Sequence, residues 1–230
     1  MNYEFCVGFL HSKFKTHNSE LIMLNRSFVV GLAGGSAAGK STLAQALADY
    51  LTTTTPHRGV EVISTDRYIK QDRTQGPNFI SPSTGEPTFH FNHPDALELP
   101  RLLADLETRT ATDDAPSVLL IEGLMVLHLP PLREKLDLRL FVELDADERA
   151  LRRLLRDMKG GRASTDPEFI ARYYRESARV GHALYVEPSR VYADFIVRGD
   201  ADFARVVPLL ATIIRANPVS SSDATSGKLT

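Results

Sequence analysis

The chain has 230 residues, 43% of them hydrophobic and 24% charged, with a formal net charge of -2. That balance suits one folded domain with a full core, and the near-neutral charge excludes the broad basic field a nucleic-acid partner requires. A single cysteine, Cys6, excludes an internal disulfide and any cysteine-built zinc site and fits a reducing cytoplasm; no apolar run approaches the roughly 20 residues of a membrane span.

In chain order, residues 1–22 hold a short apolar patch with no basic leader, so no secretory signal is expected. The first strand starts just past Met23, and residues 1–22 are read as an extension outside the fold. An apolar run at 27–32 ends in glycines and reads as a strand. Leu43, Leu47 and Leu51 follow at helical spacing. The β-branched run 60–64 is a second strand that stops before Asp66. Residues 71–92, rich in Pro, Gly, Ser, Thr and Asn without period, read as a long loop. A helix is predicted over 97–106 and a fully buried parallel strand over 117–121. Residues 138–144 form another strand. The next helix, 146–158, sets Leu151, Leu154, Leu155 and Met158 on one side and arginines on the other, the usual pattern of a solvated basic face. Helix 167–184, strand 192–197 and helix 203–214 close the pattern, with Pro208 expected to kink the last. Alternating strands and helices predict an α/β fold, a doubly wound parallel sheet in a three-layer arrangement, in one domain over 23–216. The Ser/Thr/Gly-rich end, 217–230, reads as a disordered tail.

The segment "GGSAAGKS" matches G-x-x-x-x-G-K-[ST] between a strand and a helix. Gly34, Gly35, Ser36, Ala37, Ala38 and Gly39 supply a nest of inward N–H groups, and Lys40, Ser41 and Thr42 open the helix. Lys40 is expected to reach the β and γ phosphates of ATP, and the Ser41 hydroxyl to ligate Mg2+. A dinucleotide fingerprint fails, because Ala33 and Ser36 stand where glycines are needed, and no N-K-x-D guanine reader occurs. Asp66 and Glu122 each end a predicted parallel strand, which would bring two carboxylates to one crevice. That suits a small-molecule kinase with ATP and Mg2+ and a hydroxyl acceptor.

Six segments in order, "GGSAAGKST", "STDRYIKQD", "FNHPDALE", "LLIEG", "ELDADERALRRLLRDMKGGR" and "VEPSRVYADFIVRG", resemble the uridine kinase / phosphoribulokinase family. The P-loop nucleoside kinase-like fold is what this resemblance implies. It also implies that Asp66 is the catalytic base near the metal and that Glu122 is a metal ligand. Arg153 and Arg156, with Arg162 as an extension, correspond to lid residues that clamp substrate and γ-phosphate. "FNHPDA" resembles the segment that contacts ribose hydroxyls, which makes Asn92 and His93 substrate-binding candidates, with Tyr68 beside Asp66. Tyr173 and Tyr174 are read as helix packing.

Two departures from the family pattern stand out. Asn92 occupies the place of an aspartate. Between Leu99 and Ser117 there is no Tyr, Phe or His, so the insert with which the pyrimidine nucleoside kinases read their base is missing. The expected activity is transfer from ATP to a hydroxyl of a nucleoside or related small polyol, with uridine disfavoured. The alternative is a non-catalytic ATP-binding module that regulates a partner. No nucleic acid or membrane is expected as partner, and a homo-oligomer is left open.

Overall fold

The computed structural model describes residues 26–54, 59–112, 114–160 and 164–216. The expectations for residues 1–22, Arg162 and the tail 217–230 lie outside the described residues.

Among the described residues there are seven strands and five principal helices. The strands are β1 (Phe28–Gly34), β2 (Val60–Ser64), β3 (Asn78–Ile80), β4 (Pro87–Phe89), β5 (Val118–Glu122), β6 (Leu138–Glu143) and β7 (Phe195–Arg198). The helices are α1 (Lys40–Thr54), α2 (Leu99–Thr110), α3 (Ala146–Met158), α4 (Pro167–Tyr173) and α5 (Phe203–Ala216). Strands β2, β5, β1, β6 and β7 lie side by side in that order, every pair parallel. β1 is central and β5 is buried along its whole length. The apolar side chains divide across the sheet. Leu43, Leu47 and Leu51 of α1 pack with Leu210 and Ile214 of α5 on one face. Leu102 and Leu106 of α2 pack with Met125, Leu127 and Val186 on the other. The result is the expected three-layer, doubly wound α/β arrangement, and a parallel sheet covered on both faces explains why its strands read as continuous apolar runs.

Three local expectations change. Residues 71–92 are not all loop: β3 and β4 form an antiparallel ribbon. Its turn closes through Ser81 N–H on Glu86 O at 2.9 Å and Gly85 N–H on Ser81 O at 2.8 Å. The density of Pro, Ser and Gly in this turn masks two strands of only three residues each. Helix α3 is inverted relative to a solvated basic face. Leu151 is 58% exposed, Leu155 59% and Met158 44%, whereas Arg149 and Asp157 are buried. Leu151 and Leu155 face outward, while Leu154 is half-buried, because the arginines face the site. Finally, α4 runs on past residue 184, through π-type turns at Tyr174–Ala178 and His182–Val186, to Tyr192. Pro208 lies within α5, which continues through it without a break.

Candidate active site

The loop from β1 to α1 adopts the conformation its glycines permit. Gly34 has φ 142° and Gly39 φ 104°. A Cβ at Gly34 would sit 2.3 Å from the Val142 carbonyl oxygen, so only glycine lets the loop leave β1 against β6. Ala37 has φ 63°, a left-handed position that a non-glycine residue holds at a cost of about 1–2 kcal/mol. The Ala38 N–H donates to Gly35 O at 3.1 Å, and the Lys40 ammonium, buried beneath the loop, donates to the same oxygen at 2.8 Å. Strain at Ala37 and a buried cation folded onto its own loop are what an anion cradle requires.

β5 lies between β1 and β2, and the sheet register sets Leu32, Glu122 and Ser64 level at the carboxyl ends of their strands. Asp66 follows two residues later in a 3₁₀ turn, Thr65–Tyr68, and its side chain is exposed. Glu122 is only 6% exposed. No hydrogen bond or ion pair of its carboxylate is found among the described residues, so a buried carboxylate faces the cleft. A buried carboxylate in that state calls for a cation. The oxygen set of Ser41, Asp66 and Glu122 fits Mg2+, which binds one or two carboxylates and leaves its other positions to phosphate and water.

Ser36, Lys40, Ser41, Asp66, Glu122, Asn92, Arg153 and Arg156 all line one cleft of about 1410 Å³, together with Ala37, Gly39 and Thr42. Of the remaining loop residues, Gly34, Gly35 and Ala38 are not among those lining the cleft. Arg153 donates to the Ser36 hydroxyl at 3.3 Å and pairs with Asp157 at 3.4 Å. Arg156 pairs with Asp157 at 2.8 Å. Asp157 thus fixes two guanidinium groups from beneath while their outer faces remain turned to the cleft.

Two proposed contacts fall elsewhere. The Tyr68 hydroxyl donates to Asp105 on α2, and its ring is buried beneath the Arg101 guanidinium. Burial, and then that hydrogen bond, push its phenol up. A 3₁₀ turn sends adjacent side chains in different directions, so Ile69 rather than Tyr68 lines the cleft. His93 caps its own turn, its Nδ1 accepting the Asp95 N–H at 3.1 Å, and its ring lies edge-on to Tyr185. It is not among the residues lining the cleft.

Several site residues escape sequence reasoning. Arg149 is buried against Gly35 and donates to Leu144 O at 2.9 Å, and a Cβ at Gly35 would come within 2.5 Å of its guanidinium. Arg152 donates to Gly199 O at 3.1 Å and lines the cleft. The spacing i, i+3, i+4, i+7 of Arg149, Arg152, Arg153 and Arg156 is the signal that marks one working face. The far wall is aromatic: Phe89 and Phe91 from the ribbon side and Phe169 and Tyr173 from α4. The Tyr173 hydroxyl accepts the Phe91 N–H at 3.0 Å and donates to Phe89 O at 3.1 Å. Packing alone therefore understates Tyr173, which joins the ribbon to α4 and presents its ring beneath Arg153 at 5.6 Å. Tyr174 turns away, donating to Ala146 O at 3.0 Å. Ser81 and Ser83 at the ribbon tip both donate to Glu176, which holds that carboxyl below the usual range. Asn92 is buried, with its amide on the Ser177 hydroxyl at 3.4 Å and its backbone against Gly181.

Residues 80–202 match the model of the Phosphoribulokinase / Uridine kinase family. The chain belongs to that family. It is 31% identical over 194 residues to a uridine kinase of Chlamydia pneumoniae, covering 75% of this chain and 82% of that protein. It is 34% identical over 189 residues to a uridine kinase of Deinococcus deserti, covering 75% and 87%. Among solved structures, one described as a candidate fructose transport system kinase from Silicibacter sp. TM1040 superposes with a TM-score of 0.56 at 19% identity, covering 78% of this chain and 96% of that one. That likeness supports the fold alone. The family member described here is a kinase, a phosphotransferase, and no described helix is long and apolar enough to cross a membrane.

Proposed function

We propose that this kinase transfers the γ-phosphoryl group of ATP, taken as its Mg2+ complex, to a hydroxyl of a nucleoside or related small polyol. One observation carries the proposal. The phosphate loop, two carboxylates and the arginine face of α3 line a single cleft whose other wall is aromatic and amide-bearing. The loop N–H groups, Lys40 and the N-terminal end of α1 hold the phosphates. Ser41, Glu122 and Asp66 would hold the cation, which when bound offsets charge on the phosphate oxygens. Asp66, at the cleft surface, takes the proton of the attacking hydroxyl. Arg153 and Arg156, held by Asp157, face the oxygens on which charge gathers during transfer.

The acceptor lies toward the ribbon. Seven residues separate α2 from β5, Ser117 N–H closes on Gly59 O at 3.1 Å, and none of the described residues of this connection lines the cleft, so none of them reads a base there. The aromatic wall of Phe89, Phe91, Phe169 and Tyr173 can pack against a ring or a carbon chain without reading its edge. Strong selection of a polar ring requires groups that hydrogen-bond it, which disfavours uridine as a strongly selected acceptor. The relatives' printed names favour a nucleoside, and the Asn92 amide, already committed to Ser177, can still accept from an acceptor hydroxyl through its oxygen.

A coupled ATP-consumption screen over nucleosides, nicotinamide riboside, pantothenate, ribulose 5-phosphate and glycerate tests this reading. Acceptor-dependent turnover with a riboside or polyol, weakly sensitive to the base, is expected. Turnover confined to uridine and cytidine would contradict the reading of the short α2–β5 connection, and no acceptor-dependent turnover at all would contradict the proposal.

A further inference from the structure

The segment that brings Asn92 to the cleft docks on one stripe of the helical run that begins with α4. Tyr173, Ser177 and Gly181 stand four residues apart along that run, which passes through π-type turns of the kind often found at functional sites. Each of the three meets residues 89–92. The Tyr173 hydroxyl holds Phe91 N–H and Phe89 O. The Ser177 hydroxyl oxygen lies 3.4 Å from the Asn92 amide nitrogen and 3.2 Å from His90 Nδ1. At Gly181 the two backbones touch: a Cβ there would fall 2.6 Å from Asn92 Cβ, so only glycine admits the segment so closely. Ser177 and Asn92 are both buried, yet Asn92 lines the cleft while Ser177 and His90 do not.

We propose that Ser177 and His90 are positioning residues that fix the Asn92 amide with its carbonyl oxygen, rather than its NH2, toward the acceptor, so that the kinase selects acceptors with a second free hydroxyl besides the one it phosphorylates. This deepens the function proposed above and rests on its reading of Asn92 as an acceptor contact. The hydrogen-bonding capacity of each group sets the direction. A hydroxyl has one proton to give and two lone pairs, and buried polar groups must be paired. Ser177 gives its proton to His90 Nδ1, and a lone pair of its oxygen takes the Asn92 NH2. The imidazole proton then sits on Nε2. Burial, and then the nearby His93, push His90 down, which keeps Nδ1 free to accept. With its NH2 held, Asn92 has only its oxygen for the cleft, and that oxygen can receive a hydroxyl proton but can give none. The same count accounts for the residue type. An aspartate here would have no proton for Ser177 and would compete with His90 for the one Ser177 holds. An acceptor that lacks the second hydroxyl leaves the Asn92 oxygen buried and unpaired, which is how a polar site rejects a deoxy analogue.

The test uses the full chain, with uridine, 2′-deoxyuridine and 3′-deoxyuridine as probes. The parent should prefer uridine to one of the deoxy forms by at least about tenfold in kcat/KM. Ser177→Ala and His90→Phe should each cut that preference to less than about threefold, chiefly through the acceptor KM, with the KM for ATP unchanged. His90→Asn, which keeps an acceptor near the place of Nδ1, should retain it. In an Asn92→Ala background neither Ser177→Ala nor His90→Phe should lower the preference further, whereas a merely structural role would add to the loss. Nitrogen NMR of the parent needs no turnover: His90 should carry its proton on Nε2, and the Asn92 NH2 signals should shift in Ser177→Ala. A neutral His90 protonated on Nδ1 overturns the proposal, as does a parent without the hydroxyl preference or a preference that survives in a folded Ser177→Ala. Turnover with none of the three nucleosides would contradict the proposed acceptor class instead, and the place of the His90 proton then decides the positioning role by itself.

Discussion

Arg153 offers the sharpest separation of catalytic from structural effect. Its guanidinium touches the Ser36 hydroxyl of the phosphate loop, pairs with Asp157 and lies over the Tyr173 ring. Replacing it with methionine keeps the packing length and removes the charge. Loss of one preorganised donor facing the transferring group costs about 10²–10³ in kcat, or about 2.7–4 kcal/mol. The stability cost should be smaller. Breaking a buried pair is expensive when it strands a charge, but Asp157 keeps Arg156 at 2.8 Å. A loss of about 1 kcal/mol is expected, a fall in Tm of about 2–4 °C for a domain of this size. Arg153→Lys keeps the charge but loses the planar fork and the ring contact, and kcat should fall about tenfold. Steady-state kinetics and thermal melts on the three proteins give both axes. A methionine variant whose Tm falls by about 10 °C while kcat per folded molecule is unchanged would refute a transfer role and make Arg153 a structural clamp.

Gly123→Ala should misplace Asp66, because the new Cβ would fall 1.9 Å from Thr65 Oγ1 in the turn that carries it. Transfer should drop about 10²-fold, and Thr65→Ala in the same chain should recover most of it, read as kcat/KM of the single and double variants. His182 is pushed down to about 4 by burial first and then by the Arg149 and Lys40 charges, with the Glu187 carboxylate at 3.2 Å from its Nε2. The unfolded imidazole binds its proton near pH 6.5, so the unfolded state holds more protons between about 4 and 6.5 and stability falls as pH falls through that window. The loss should reach about 1–3 kcal/mol, and urea titrations of His182→Gln from pH 7 to pH 4.5 should show a flatter profile.

The sheet, its helices and the phosphate loop were legible because each has a strong local signature. β5 could hardly be anything but a buried strand, and the glycine spacing from Gly34 to Lys40 serves only a nest. Parallel strands ending together suggest that Asp66 and Glu122 share one cleft; the register of β2 and β5 sets Ser64 level with Glu122, and Asp66 lies two residues on, in the turn that follows β2. What stayed hidden depends on contacts distant in sequence. Tyr68 and Ile69 are adjacent, and only packing against α2 decides that Ile69 takes the cleft and Tyr68 the core. The polarity of α3 misleads because helices normally bury leucine. Here the anion cradle draws the arginines inward, leaving Leu151 and Leu155 in solvent. The β3–β4 ribbon is too short for a period to emerge, and its closure onto α4 through Ser81, Ser83 and Tyr173 spans more than eighty residues.

The most direct test of the account compares ATP binding with phosphoryl transfer in Asp66→Asn, using Lys40→Ala as the control for the phosphate loop. If Asp66 takes the acceptor proton, Asp66→Asn binds ATP nearly as the parent does while transfer falls by about 10²–10⁴. Lys40→Ala should lose both. Undiminished transfer in Asp66→Asn would remove that residue from the chemistry, and undiminished transfer in Lys40→Ala would contradict the mechanism as a whole.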